Sequence, residues 1–446
     1  MQARLPVPLS TGNQEDVMHL PHSLVARALA LFVALVGAPL TAGADTLLVT
    51  SLASSGSGTL HAAIDDANTY AGPDTIVFTG LSGTITLTDP LPALTDDGTL
   101  IMGETADDAI PALPDITLQC DYVSLEPGLY FQQASDCGAR GLNFLGFIHA
   151  VKMEGPCSGN SLGASLSIRT ANVIANSTDT AVYLVGPDCD GNTIVNNNVG
   201  SNAYWGIGLV DGCSSNVIGG NGANEMNVIS GNDGFGLFLS GDTAPTQDNR
   251  IIGNHIGVDF YGTAPSPNAS GGLHLSGPLC RGNVIHDNII SGNDQDGVGI
   301  ENGAHHNTLS SNHIGMDING SLAIPNGGHG VDVNEAAHDN TIGPGNLISA
   351  NLGCGVHVRQ LGSDGNEIVG SLVGLDGTGT TAFGNGEDGI QFSDGAQSCV
   401  VQGCTVAGNG LSGIHVTGAG TDLHRIRGCR IGTDVSGMVA IANGST

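Results

Sequence analysis

One phrase returns four times in this chain at steps of 58 and 59 residues: "IGVDFYGTAPSPN" from Ile256, "IGMDINGSLAIPN" from Ile314, "VGLDGTGTTAFGN" from Val373 and "IGTDVSGMVAIAN" from Ile431. Every copy carries a Gly three residues after its Asp and an Asn nine residues after it. A catalytic loop has no reason to be written four times; a structural unit does. Shorter sister segments lie between the copies, from Asn227, Asn288, Asn346 and Cys404, so the unit is double. Aligned on the residue before the first apolar pair, the chain gives Asn172, Asn197, Asn227, Asn254, Asn288, Asn312, Asn346, Ser371, Cys404 and Cys429, with alternating steps of about 25 and 33 residues from Asn254 onward.

A turn of about 25 residues, built from three short apolar-alternating runs between Gly, Asn and Asp, cannot bury its inner face alone, so successive turns must stack. The prediction is an all-β chain folded as one parallel β-helix, a solenoid rather than the two or three domains that 446 residues would otherwise allow. The 70 glycines and the 12% of charged residues fit short strands between tight turns. The seven ladder asparagines, Asn172 to Asn346, then fall above one another about 4.8 Å apart, where side-chain amides can bond along the stack. The extra eight or so residues of every second turn bulge as a loop. Asp259, Asp317, Asp376 and Asp434 would close those loops through side-chain to backbone bonds; they are also the row that would hold calcium if any ion were bound. At roughly 9 to 10 Å apart, no two neighbours could share one ion.

Ten cysteines are spread along the frame. Cys157, Cys189, Cys213 and Cys280 each precede an Asn by three residues, a position filled elsewhere by Ala304, Ala337 or Ser363, so it wants a small buried side chain. Cys189 with Cys213, and Cys404 with Cys429, lie one turn apart and are the couples near enough for a disulfide, although in-register parallel strands do not readily supply the dihedral. Cysteine and histidine spacings of zinc type are not found.

At the N-terminus, Arg27 precedes an apolar run from Ala28 to about Val36 and small residues ending in Ala42-Gly43-Ala44, the layout of an export signal cleaved before Asp45, with Met18 better placed than Met1 as the start. Residues 1–44 are therefore read as a signal, 45–80 as an N-terminal cap and first strand, and 81–446 as the solenoid. The mature chain is expected outside the cytoplasm, secreted, periplasmic or on the cell surface, without a membrane span. It ends just after the fourth long loop, where the other copies run on into a strand, so the last turn reads as open or truncated. With the four charges of the signal region cancelling, 40 acidic and 9 basic residues remain and leave the whole net charge of −31. Such a surface excludes nucleic acid and anionic membranes as partners; extracellular glycans or surface proteins are the partners that remain.

A short helix is predicted over about Thr59 to Asn68, with Thr59 as N-cap and Leu60, Ala63, Ile64 and Ala67 on one face, placed to plug the open end of the stack. The segment "GTLHAAIDDAN" followed by "GPDTIVF" resembles the N-terminal segment of bacterial exported proteins with right-handed parallel β-helix repeats, usually written with an S-L-R-x-A-I core; this chain departs at the Ser and the Arg. The double repeat is similar to the coils of the same group, within the pectin-lyase-like superfamily, over most of residues 45 to 446. The resemblance implies a right-handed solenoid. It implies little about chemistry, because that superfamily holds polysaccharide lyases and hydrolases, tailspikes and adhesins.

The last strand of each turn aligns His274, Gly299, Asp332, His357, Gln391 and His415 as an outward row, with Ser276, Glu301, Asn334, Arg359 and Ser393 beside it. Glu301, Asp332, His357 and Arg359 supply the acid, base and cation types that glycoside cleavage or proton abstraction next to a uronate would use. The plainer reading is a solvated face, on which replacing Asp332 or His357 shifts stability by under about 0.5 kcal/mol. Sparse cations and a single tryptophan, Trp205, favour a non-catalytic, adhesin-like or carbohydrate-contacting β-helix without a cofactor; a polysaccharide lyase, epimerase or glycoside hydrolase is the alternative.

Overall fold

The computed structural model describes residues 43–104, 114–121 and 127–444. The expected export signal, including Met18, lies outside the described residues as far as Ala42. The rest winds as a right-handed parallel β-helix with three faces, sheets of 14, 13 and 11 strands, each strand pairing in parallel with its equivalents in the neighbouring coils. One coil illustrates the plan: Val284–His286 on the first face, Ile289–Ile290 on the second and Val298–Glu301 on the third.

Register follows the apolar pattern. Ile285, Leu309, Ile342, Ile368 and Val401 pair in succession on the first face. Ile290, Ile314, Ile348, Val373 and Val406 do so on the second, and Ile300, Val333, Val358 and Phe392 on the third. All fourteen are fully buried, each worth about 1.5–3 kcal/mol of transfer free energy. A slip of one residue would turn an entire column outward, which is why two- and three-residue strands hold their register.

The polar corners are closed by asparagine. Asn172, Asn197, Asn227, Asn254, Asn288, Asn312 and Asn346 form one unbroken chain of amide bonds, each Nδ2 donating to the next Oδ1 at 2.9–3.2 Å. Ser371, Cys404 and Cys429 continue that position without amides. Two further ladders run beside it. Asn192, Asn216, Asn249, Asn283, Asn307, Asn340 and Asn366 line one corner. The other begins Asn202, Asn232, Asn268, Asn293, Asn326 and continues through Asn351, Asn385, Asn409 and Asn443. The Asn that ends each thirteen-residue phrase is therefore a rung of this last ladder.

The Asp of each phrase closes its loop. Oδ1 of Asp317 accepts from the Ser321 and Leu322 N–H groups at 2.7 and 2.8 Å, and Asp259, Asp376 and Asp434 make the equivalent pairs. The Gly three residues on, at φ between 64° and 76° in the four copies, takes the left-handed turn that a side chain would strain. The loop tips also touch one another across two coils. Ile318 N–H donates to Gly262 O at 3.1 Å, Gly377 N–H to Gly320 O at 2.7 Å and Val435 N–H to Gly379 O at 3.1 Å.

Helix α1, Leu60–Thr69, starts one residue after its N-cap Thr59, whose hydroxyl accepts from Ala62 N–H at 3.3 Å, and it buries Leu60, Ala63, Ile64 and Ala67. All ten cysteines are free thiols. No sulfur–sulfur bond joins Cys189 to Cys213 or Cys404 to Cys429; the Cys189 Sγ instead lies 3.2 Å from Cys157 Sγ.

Candidate functional site

The third face carries the chemistry. Its outward row runs Tyr130, Lys152, Tyr183, Gly208, Phe238, His274, Gly299, Asp332, His357, Gln391 and His415, one residue per coil. At about 4.8 Å per coil the row is roughly 48 Å long. Its character changes along its length, aromatic towards the N-terminus and polar towards the C-terminus.

At the N-terminal end, Pro90, Leu91, Pro127, Tyr130, His149 and Lys152 are among the residues lining a cleft of about 690 Å³. The Tyr130 hydroxyl bonds to the Glu154 carboxylate. Lys152 Nζ donates to the same carboxylate oxygen, Oε2, at 2.9 Å and lies 5.2 Å from the centre of the Tyr130 ring. These bonds hold the Glu154 carboxyl below its ordinary range, Tyr130 contributing most. His149 is pushed down by burial, although its Nδ1–H donates to Thr180 O at 2.6 Å. Its ring stacks on Tyr183 at 5.0 Å.

From there the face is paved with rings. Trp205 stacks on Tyr204 at 4.5 Å and on Phe238 at 3.8 Å; His274 stacks on Phe235 at 4.4 Å and on Phe238 at 5.4 Å. Two glycines in the row make room. A Cβ on Gly208 would stand 3.2 Å from Trp205 Cε3, and one on Gly299 only 2.7 Å from His274 Nδ1. Trp205, the single tryptophan, stands between Tyr204 and Phe238 at the centre of a half-buried platform. The signal was present in Tyr130, Tyr183 and Phe238, which occupy the same outward position as His274 in earlier coils.

Beyond the platform the four sequence candidates do come together. His274 Nε2 lies 2.6 Å from Glu301 Oε1. Arg359 forks onto Asp332, Nε to Oδ1 at 3.1 Å and Nη2 to Oδ2 at 2.9 Å, and Asn334 Nδ2 donates to Oδ2 at 2.5 Å. His357 Nε2 is 3.0 Å from Ser393 Oγ, while its buried Nδ1 has no hydrogen bond and faces Asp332 Oδ1 at 3.5 Å. Burial first, and His329 next, push the His357 imidazole down to about 4. The solvated face expected here is not what the fold builds: Asp332 is 3% exposed and His274, Ser276, Asn334 and Ser393 are buried. The cause is the side chains of adjacent coils, which lie over one another and satisfy each other's polar atoms. Both Asp332 oxygens are committed, and neither His357 nitrogen faces open solvent.

His329, Asp332 and His357, and likewise His329, Cys354 and Glu387, bring one ligand atom each within 4.8 Å of one another. The donor set does not fit an ion. His329 Nδ1 accepts the Cys354 N–H at 2.9 Å, so in the neutral ring its lone pair is taken and the proton sits on Nε2, which leaves that tautomer no free nitrogen to ligate. In the row Asp259, Asp317, Asp376 and Asp434 each Oδ1 accepts from two backbone N–H groups.

Among the described residues no helix is long and apolar enough to cross a membrane. Residues 268–371 match the family described as "Periplasmic copper-binding protein (NosD)". No curated protein sequence matches the chain. Among solved structures, the chain is similar to the A-module of the Azotobacter vinelandii mannuronan C-5 epimerase AlgE4, at 16% identity and TM-score 0.53 over 86% of this chain and 97% of that one. It is equally similar to the AlgE6 A-module, at 16% identity and TM-score 0.54 over 85% and 96%. At that identity the likeness concerns the fold, and with the parallel register described above it makes the chain a right-handed parallel β-helix protein.

Proposed function

We propose that this exported β-helix binds a glycan chain lengthwise along its third face. The observation that carries the reading is the succession along this face of the Tyr130–Lys152 cleft, the His149–Tyr183 stack and, past Gly208, the Trp205, Phe238 and His274 rings that lead to Glu301. Flat ring faces suit the C–H faces of pyranose units, and a polar rim suits their hydroxyls. The epimerase modules of the same fold act on mannuronan by name, which supports a saccharide as the ligand class. The commitment of both Asp332 oxygens to Arg359 and Asn334 supports binding over catalysis at the polar end.

The cleft favours a second reading. Proton abstraction next to a uronate carboxylate needs a cation to neutralise that carboxylate and a proton-transfer group beside the carbon. Lys152, Tyr130 and His149 are of those types and line one cleft. On this reading the chain is an epimerase or lyase working there, not at Asp332.

Trp205 is the only tryptophan of the chain, so its fluorescence reports on the platform directly. Titration with pectin, alginate and neutral glycans, with calcium present, is expected to perturb that emission for at least one of them, and Phe238→Ala to weaken binding about tenfold. Silence across the whole panel overturns the binding proposal. Appearance of unsaturated products, new reducing ends or epimerised residues, abolished by Lys152→Ala, would establish the second reading.

A further inference from the structure

Three thiols stand in line inside the solenoid. Cys157, Cys189 and Cys213 hold one position in three consecutive coils, each three residues before a ladder asparagine. All three are buried, Cys157 at 1% exposure and the other two at 0%. The asparagines set the register of the column: Asn160 N–H donates to Asn192 Oδ1 at 2.9 Å and Asn192 N–H to Asn216 Oδ1 at 2.8 Å. Cys157 N–H donates to Asp188 O at 3.0 Å and Asp190 N–H to Cys157 O at 3.1 Å, so Cys157 lies directly beside Cys189. Both sit in the turns that follow Val151–Glu154 and Val182–Val185, outside the strands.

The sulfurs of this chain are not disposed alike. Those of Cys137, Cys280, Cys399, Cys404 and Cys429 are turned to backbone carbonyl oxygens. Cys213 Sγ is turned to Val210 O, in its own coil, at 3.5 Å. Cys157 and Cys189 instead meet sulfur to sulfur at 3.2 Å. Coils stacked about 4.8 Å apart lie within the roughly 4.4–6.8 Å over which Cα atoms can be bridged, and the sulfurs need close only to about 2.0 Å. On the first face these two coils are joined by a short ladder, Ser161 with Thr193 and Leu162 with Ile194, which a covalent link beside it would reinforce.

The geometry points to a Cys157–Cys189 disulfide in the exported chain, with Cys213 left as a thiol. The oxidant is a second disulfide, the class of reagent that exported proteins meet. One cysteine, as thiolate, attacks that disulfide and its far sulfur leaves as a thiolate. The other cysteine then attacks the mixed disulfide, forms the Cys157 Sγ–Cys189 Sγ bond and expels the oxidant's remaining sulfur. The chain gives up two protons and two electrons, and the oxidant takes them as two thiols. Contact with Cys189, and then burial, push the Cys157 thiol up, and both sulfurs are out of an oxidant's reach in the closed coils. The exchange therefore belongs to folding, before these coils close on one another. The bond ties residues 32 apart in sequence, and such a staple stabilises mainly by limiting the unfolded chain. It joins the coils that carry Lys152 and Tyr183, whatever either residue binds.

The test uses the chain exported to an oxidising compartment, and the same chain reduced, unfolded and refolded with reduced and oxidised glutathione. Each sample is unfolded in acid, its thiols are alkylated, and it is read by intact mass and by peptide mapping; cleavage before Asp190 and Asp211 separates Cys189 from Cys213. The expected result is a peptide that links Cys157 to Cys189, with the other eight of the ten cysteines alkylated, and a melting temperature that falls by several degrees on reduction. Cys213→Ser should keep the linked peptide. Cys157→Ser should lose it and melt near the reduced chain, with circular dichroism unchanged, since Ser363 fills the same position in a later coil. Ten alkylated cysteines in both samples, or a link from Cys189 to Cys213 in place of Cys157, overturns the assignment.

Discussion

Arg359 holds Asp332 by a two-pronged bond across one coil, although Asp332 is 3% exposed and the Arg359 side chain is still 35% exposed. Arg359→Ala would strand a buried carboxylate with Asn334 as its remaining donor. Removing one partner of a buried pair costs about 3–5 kcal/mol; with Arg359 partly in water, a loss of about 2–3 kcal/mol is expected. Urea unfolding measures it, and a change under about 0.5 kcal/mol would return this face to the ordinary solvated surface.

Asn288 sits in the middle of its ladder. Its Oδ1 accepts from Asn254 N–H and Nδ2 at 2.9 and 3.0 Å, and its Nδ2 donates to Asn312 Oδ1, Ile251 O and His286 O. Asn288→Ala leaves several buried groups unpaired, at about 1–3 kcal/mol for each group left unsatisfied. Asn288→Asp should be worse at neutral pH, since a carboxylate cannot donate to Asn312 or Ile251. Equal stability of the two variants would mean that water repairs the gap.

The pH dependence follows from His357. Its folded value, about 4, lies below the ordinary value near 6.5, so between those limits the unfolded chain holds the extra proton and stability falls as pH drops. The stabilisation is complete above about pH 6.5 and lost by about pH 4. His357→Gln should flatten the stability profile within that window. Asp317 acts lower: its burial, which raises it, is outweighed by the Leu322 and Ser321 N–H groups, and its carboxyl stays below the usual range. Its share is present above about pH 4 and lost beneath it, so Asp317→Asn should alter only the acid end. Identical profiles for the unaltered chain and His357→Gln would refute the first assignment.

Gly299→Ala is the least disruptive probe of the platform. The added methyl group meets His274 Nδ1 at 2.7 Å and must tilt that ring away from Phe238 and Glu301. Glycan affinity should fall several-fold while the melting temperature moves by only a few degrees. Unchanged affinity would show that the ligand does not reach this coil.

The period was legible because a stacked fold repeats its constraints. Asn172 to Asn346, the outward row from His274 to His415 and the helix after Thr59 could all be aligned by eye. What escaped the alignment depends on reach between coils. Asp332 is buried by an arginine 27 residues away, and no spacing within one strand announces that. The platform lies where the steps are irregular, from Tyr130 to Lys152 and on to Tyr183, so its rings did not fall into the frame set by the later repeats. The contact of Cys157 with Cys189 lies in turns, where the apolar alternation that guided the reading is absent.

The stacked loop tips carry one more consequence, for how such a chain can change length. Each loop rests on the tip two coils away, and the coil between carries no loop of its own. Excision of a single coil would place a loop against a bare edge and leave the donors of Ile318, Gly377 or Val435 without acceptors. Excision of the double unit, such as residues 315–373, would bring Gly377 over Gly262 and keep the remaining coils in register. Growth and shortening of this rod by recombination between repeats should therefore proceed in even numbers of turns.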